Sequence, residues 1–237
     1  MWRTVIVTKG EKLTLKDQWL VVYSDNVEQR IPLADIYSVV IDNRASLISV
    51  GLLSELADSN IRVILCDNKH NPNSVFLPMN THYNPLGVIK KQFSLSEELK
   101  SKLWQRIVKQ KIANQVKCLR LAGVNKIEIG TIELMCAEVL PDDKTNREAA
   151  AARRYFLALF GCVFKRTNDD VTNAALNYGY AIIRSAVAKT RVAYGYNCVI
   201  GLHHSNDYNA FNLADDMMKP LRPLVDLWVD SKEIIEL

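Results

Sequence analysis

The spacing of hydrophobic and polar positions changes once along this chain, near residue 80. Before that point, short apolar segments rich in β-branched and aromatic residues alternate with turn formers. They are "RTVIVTK", "KLTLKD", "WLVVYSD", "YSVVID" and "IRVILCD", and they predict strands. A helical segment over about residues 47–57 interrupts them. The stretch "DNKHNPNSVFLPMNTHYNP", with Pro72, Pro78 and Pro85 among asparagines, reads as a linker. Beyond it the period becomes helical, predicting helices over about residues 86–121, 126–138, 147–164, 171–193 and 213–228. Between the last two, "GYNCVIGLHHSNDYNAF" reads as a loop with a short extended piece. The pattern is that of an α+β protein: an N-terminal β-rich domain over residues 1–80, then a mainly α-helical domain over residues 81–237.

Composition narrows the class. Hydrophobic content of 49% and charged content of 24% in 237 residues are those of a globular protein with a sizeable core. No apolar run reaches the roughly 18 residues a membrane span needs, and "MWRTVIVTKG" carries no signal-peptide pattern. A cytoplasmic protein with no membrane association is expected. The cysteines, Cys66, Cys118, Cys136, Cys162 and Cys198, are odd in number, widely spaced and free of any C-x-x-C pair. That argues against a disulfide framework or a thiolate zinc site and for reduced, mostly buried thiols.

The net charge of +4 is small, but its distribution is uneven. Between Lys90 and Arg120 there are nine basic residues and two acids, Glu97 and Glu98. On a helix, Lys102, Arg106, Lys109, Lys117 and Arg120 fall within an arc of roughly 80°. Val108, Ile112, Val116 and Leu119 occupy the opposite side. A solvated face usually mixes signs, because like charges one turn apart repel. A stripe of one sign suits a phosphate backbone and would make binding steeply salt-dependent.

Two segments carry candidate chemistry. In "TNREAAAARRYFLALFG", Thr145 followed three residues later by Glu148 fits a capping box. Alternatively, Glu148 belongs to a site whose other members lie far along the chain. The second segment, "GLHHSNDYNAFNLADDMMKPLRPLVD", holds His203, His204, Asp215, Asp216, Lys219 and Arg222. Its histidines could be metal ligands or loop residues bonded to backbone. Asp215 and Lys219 could form a plain i,i+4 ion pair. Pro220 and Pro223 would kink or delimit the helix.

The order "NREAAAARRYF", "GYNCVIGLHHSND", "FNLADDMMKPLRPLVD" resembles the metal-dependent CRISPR-associated spacer integrase family, the first of the numbered Cas proteins. Upstream, "WRTVIV", "LTLKDQWLVV", "IPLADIYSVVID" and "CDNKHNP" are similar to its type II branch. The resemblance implies an N-terminal β domain that pairs as a homodimer, a helical catalytic domain, and a smaller second Cas protein completing a heterohexameric integration complex. It also implies double-stranded DNA, both prespacer and repeat, as substrate, and in type II systems the effector nuclease and a ring-forming accessory protein as further partners. The implied activity is that of a DNA integrase and endonuclease using Mg²⁺ or Mn²⁺, inserting captured DNA by attack of a 3′ hydroxyl on a repeat phosphodiester.

The family's metal site falls on Glu148 and His204, with His203 the less favoured of the pair. Its third position, normally a carboxylate before the proline of a D-x-x-E-P-x-R-P motif, is Lys219 here. Asp216 or Asp215, one turn earlier, could supply the missing carboxylate; otherwise the chain is a catalytically weak or inactive DNA-binding subunit of the same complex. Arg147, Arg153, Arg154 and Arg222 flank the two motifs and, with Lys102, Arg106 and Lys109, are candidate DNA contacts. Tyr155, on the helical face of Glu148, is expected to pack. The family usually continues with further helical structure after this motif, whereas this chain stops at "WVDSKEIIEL".

Overall fold

The computed structural model describes residues 3–231, apart from Gly10, Asp25, Asn26, Lys69, Asn71, Leu77 and residues 79–83. The expected domain boundary at residue 80 and the C-terminal residues 232–237 lie outside the described residues. The chain divides into two compact units, Met1–Thr81 and His82–Leu237.

The first unit is built from β1 (Arg3–Val7), β2 (Lys12–Lys16), β3 (Trp19–Ser24), β4 (Val27–Pro32), β5 (Ile36–Ile41), β6 (Leu47–Ile48), α1 (Val50–Asp58), β7 (Arg62–Cys66) and β8 (Pro72–Phe76). One four-stranded sheet has the order β1-β5-β7-β8, the other β4-β3-β2-β6. In the first, β1, β5 and β7 run parallel and β8 returns antiparallel along β7. Inward residues of both sheets, among them Leu13, Leu20, Val22, Ile36, Val39 and Val63, form one core with Leu52 and Leu56 of α1. The expected helix starts later than its hydrophobic spacing suggested. Leu47 and Ile48 pair with β2, and Ser49 then caps α1 by accepting from the Leu52 amide at 3.2 Å. Besides β6, two strands escaped the sequence reading. β4 is an exposed edge strand of mixed charge, "VEQRIP", and β8 lies inside the stretch read as linker.

The second unit holds α2 (Pro85–Phe93), α3 (Glu97–Leu121), α4 (Lys126–Ala137), α5 (Arg147–Phe160), α6 (Val171–Ala193), α7 (Asn212–Met217) and α8 (Arg222–Ser231). The single helix expected over residues 86–121 is two, because Ser96 caps α3 by accepting from the Leu99 amide at 3.3 Å. Helix α5 stops at Gly161, whose φ of +94° only glycine adopts readily, short of the expected residue 164. A 3-10 turn, Lys219–Leu221, divides the last expected helix into α7 and α8 at Pro220. Helix α3 is the spine. Trp104, Val108, Ile112, Val116 and Leu119 are buried, while Lys102, Arg106, Lys117 and Arg120 are exposed on the other side. All five cysteines are free thiols; Cys66, Cys118 and Cys198 are buried. Among the described residues, no helix is long and apolar enough to cross a membrane.

Candidate catalytic centre and nucleic-acid interface

The approach to α5 is a tight turn in which Asp142, Asp143 and Asn146 all have left-handed backbone, with φ of 62°, 47° and 51°. Aspartate and asparagine tolerate this conformation better than other side chains do. The turn carries the Asp143 carboxylate under the start of α5. There Oδ1 accepts from the Arg147 amide and Oδ2 from the Glu148 amide, each at 2.9 Å. Asp143 therefore caps the helix, and the capping box expected from Thr145 and Glu148 does not form. Relieved of capping, the Glu148 side chain accepts on Oε1 from Lys219 Nζ at 2.7 Å and from Lys111 Nζ at 2.8 Å.

Both lysines are held by the fold. Lys111 lies two helical turns from Trp104 on the buried face of α3. Lys219 opens the 3-10 turn, which α3 pins through a 2.7 Å hydrogen bond from Asn114 Nδ2 to the Pro220 carbonyl. The three side chains retain 10% (Lys111), 11% (Lys219) and 15% (Glu148) of their exposure. Burial alone would raise the Glu148 pKa, but Lys111 and then Lys219 outweigh it and lower it to about 2. Burial pulls the Lys111 pKa down; Glu148 opposes that pull and Lys219 adds to it.

The histidine loop is organised by a different carboxylate. Asp216, completely buried, accepts from the backbone amides of Leu202 at 2.7 Å and His203 at 3.0 Å, and also from His204. Its Oδ1 is bonded to His204 Nδ1. The loop closes so tightly that a Cβ on Gly201 would lie 2.2 Å from the His204 carbonyl oxygen, so only glycine fits. His203 stacks on Trp104 at 4.1 Å with an interplanar angle of 3°, and His204 meets the same ring edge-on at 5.8 Å. Lys219 Nζ lies 5.1 Å from that ring's centroid. Trp104 thus joins the histidine loop to the lysine that holds Glu148.

The fold therefore brings Glu148 against Lys219 and binds His204 to Asp216. Asp215 turns elsewhere: Asn209 donates to it at 2.8 Å and Arg184 lies 3.9 Å away, so the expected pair with Lys219 is absent. Of the candidate DNA contacts, Lys102 pairs with Glu98, Arg147 with Glu138 and Arg154 with Glu128. Arg222 lies over the Tyr180 ring at 5.0 Å. Among the described residues Arg106, Lys109 and Arg153 make no ion pair, and Arg106 and Arg153 are exposed. Tyr155 is buried and donates to Asp226 Oδ2 at 2.9 Å, within a polar cluster that includes Tyr180 and Cys118. Sequence reasoning missed Lys111, Trp104, Asp143 and Asp226. Lys111 had a signal, since it falls among the apolar positions of α3 and outside the basic arc.

A hard divalent cation asks for oxygen donors with at most one or two nitrogens. Here the position expected to donate presents an ammonium, a second ammonium shares the same carboxylate oxygen, and Asp216 is occupied by amides and His204. Among the described residues, no group of three or more histidine, cysteine, aspartate and glutamate side chains is arranged to hold a metal ion. In this arrangement the residues present do not fit the Mg²⁺ or Mn²⁺ that the resemblance implies.

Similar solved structures define the class of fold. The chain aligns to a casposase bound to integration product with a TM-score of 0.79 and 17% identity, covering 97% of this chain and 72% of that one. It aligns to a Cas6-RT-Cas1–Cas2 complex with a TM-score of 0.74 and 19% identity, covering 99% of this chain and 28% of that one. At such identities the likeness concerns the fold alone. The chain itself belongs to the Cas1 family: the family model for CRISPR associated protein Cas1 matches residues 4–231. It is 42% identical over 228 residues to the CRISPR-associated endonuclease Cas1 of Neisseria meningitidis serogroup C (strain 8013), covering 96% of this chain and 75% of that protein.

Proposed function

We propose that this Cas1-family chain is a DNA-binding subunit of a CRISPR spacer-integration complex, whose centre is held by lysines in a form that does not take up a catalytic divalent ion. The observation that carries this reading is the Lys219 ammonium 2.7 Å from Glu148, with Lys111 on the same oxygen. A divalent ion about 5 Å from one ammonium is opposed by on the order of several kcal/mol at an effective dielectric near 20, and here there are two. The family membership supplies the DNA context. Arg106, Lys109 and Lys117 on α3, with Arg153 on α5, supply cations for phosphates. The reading includes a homodimer joined through the β-rich unit and a smaller second Cas protein as partner, a pairing named for one of the similar complexes.

A second reading is metal-dependent strand transfer, in which Glu148 and His204 recruit Mg²⁺ or Mn²⁺ once DNA is bound. The retained pair, and the orientation of His204 by Asp216, favour it. The test joins a labelled 3′-hydroxyl duplex to repeat DNA, with the second Cas protein present, in Mn²⁺ and in chelator. The expected result is DNA binding that persists in chelator, no joining by the wild type, and an Mn²⁺-induced rise in melting temperature only in Lys219→Glu. Mn²⁺-dependent joining by the wild type that disappears in Glu148→Ala and His204→Ala overturns the first reading in favour of the second.

A further inference from the structure

The row of side chains that crosses β1, β5 and β7 at their amino-terminal ends departs from the apolar pattern of its neighbours. Thr4 pairs with Ser38 and Ser38 with Arg62, so the three share one face of the sheet. Thr4 is exposed on the edge strand, whereas Ser38 and Arg62 keep 0% and 1% of their surface. The next positions on that face, Val40 and Ile64, are fully buried.

A guanidinium is costly in such a place. It cannot shed its charge by losing a proton, and its plane carries five N–H donors. In Arg62, Nε, Nη1 and Nη2 are all buried without a hydrogen-bond partner. Arg147, Arg191 and Arg222 leave only Nε in that state, so Arg62 stands apart among the described residues. The acid at this end of the sheet, Asp35, lies instead 4.0 Å from Arg3.

Tyr37 answers part of the charge. The Arg62 guanidinium carbon lies 4.2 Å from the centroid of its ring, and the phenol opposes the downward pull of burial on the Arg62 pKa. A ring face attracts a cation but takes no hydrogen bond from the guanidinium edge. The β1–β5 ladder passes from Arg3–Ile36 to Thr4–Ser38, which leaves Tyr37 as the extra residue of a bulge. Bulges re-aim side chains, and this one sets Tyr37 under Arg62. Ser38 Oγ lies 3.1 Å from Thr4 Oγ1. With Thr4 as the donor, the Ser38 proton is left for a second acceptor.

We propose that Arg62 and Ser38 form a buried site for a small monovalent inorganic anion, of which chloride is the type, seated at the guanidinium edge. Charge balance selects the class. One buried positive charge is neutralised by one negative charge, whereas a phosphate dianion would leave a buried excess of negative charge and oxygens without donors. A monatomic ion accepts from any direction, which suits one guanidinium edge and one hydroxyl. The burial of both donors favours a free ion over a group carried on a larger molecule.

The test is urea denaturation of the full chain at constant ionic strength, with sodium chloride exchanged for sodium gluconate, whose anion is too large for an enclosed site. Raising chloride from about 1 to about 100 mM is expected to raise the folding equilibrium constant about ten-fold, for a dissociation constant of about 10 mM. Bromide should replace chloride. Arg62→Met should lose the chloride dependence, and Ser38→Ala should weaken it. If Arg62→Met does not fold, chlorine NMR line broadening by the native wild type, reduced in Ser38→Ala and competed by bromide, carries the same test. Equal wild-type stability in chloride and gluconate, with no more line broadening than in Ser38→Ala, overturns the proposal. Chloride dependence that persists unchanged in Arg62→Met overturns it by placing the ion elsewhere. Stabilisation by phosphate and not by chloride overturns the choice of a monovalent occupant.

Discussion

Replacing Glu148 by glutamine reports the nature of the centre through stability, without any activity measurement. In the wild type one carboxylate oxygen accepts from two largely buried ammonium groups, and the Glu148 pKa falls from 4.5 to about 2. At about 1.4 kcal/mol per unit, that depression corresponds to about 3 kcal/mol of folding stability. Stranding a buried partner charge costs about 3 to 5 kcal/mol in general. The two figures agree in sign and overlap in size. Because the folded pKa is the depressed one, the contribution is complete above about 4.5 and drains away as pH falls toward 2. Urea denaturation of the full chain, followed by helix circular dichroism, should therefore show Glu148→Gln less stable by about 3 kcal/mol at neutral pH. The gap should narrow steadily on acidification below about pH 5. A cluster of like-charged metal ligands predicts the opposite sign, since losing one carboxylate relieves repulsion. A glutamine variant as stable as the wild type at neutral pH, or more stable, refutes the lysine-held centre.

Three further outcomes follow from the surrounding framework. Asp143→Ala removes the acceptor for two amides at the start of α5 and should cost about 1 to 2 kcal/mol in the same denaturation assay. Thr145→Ala should stay within about 0.5 kcal/mol of the wild type, the reverse of what a Thr145 cap would give. Asp226 is the second pH-sensitive carboxylate: burial raises its pKa from 3.8 to about 6 despite the Tyr180 and Tyr155 hydrogen bonds. Its contribution is present below about 3.8 and lost as pH rises through 6, so wild-type stability relative to Asp226→Asn should fall by about 2 kcal/mol from pH 4 to pH 8.

The sequence was most legible where one period runs long. Helix α6 was read over residues 171–193, and α3 showed both its faces, because burial on one side and water on the other leave a clear mark on side-chain choice. Short elements were less visible. β4 is charged and exposed, so it carries no apolar alternation, and β8 sits among asparagines and prolines that resemble a linker. The centre divided in the same way. Glu148, His204 and Lys219 stood out through a resemblance of motif and order. Lys111 and Trp104 were missed because they look like ordinary members of a helix whose role is set only when α5 and the 219–221 turn pack against it. The Thr145 box was a fair local reading, but Asp143 displaced it through a left-handed turn that residue types alone do not specify.

The same lysines bear on both sides of the chain's chemistry. One carboxylate offsets one ammonium, so Lys111, Glu148 and Lys219 together carry a residual positive charge in a site largely removed from water. That charge repels a divalent cation and attracts a phosphate, with little screening because the groups are buried. Arg106 and Lys109, without ion pairs, lie on the other side of α3 from Lys111 and form a separate set of cations. A carboxylate at position 219 would reverse that sign and turn the centre into a site for a cation. With Lys219 in place the centre keeps its net positive charge, and the proposed reading of a DNA-holding subunit rests on that sign.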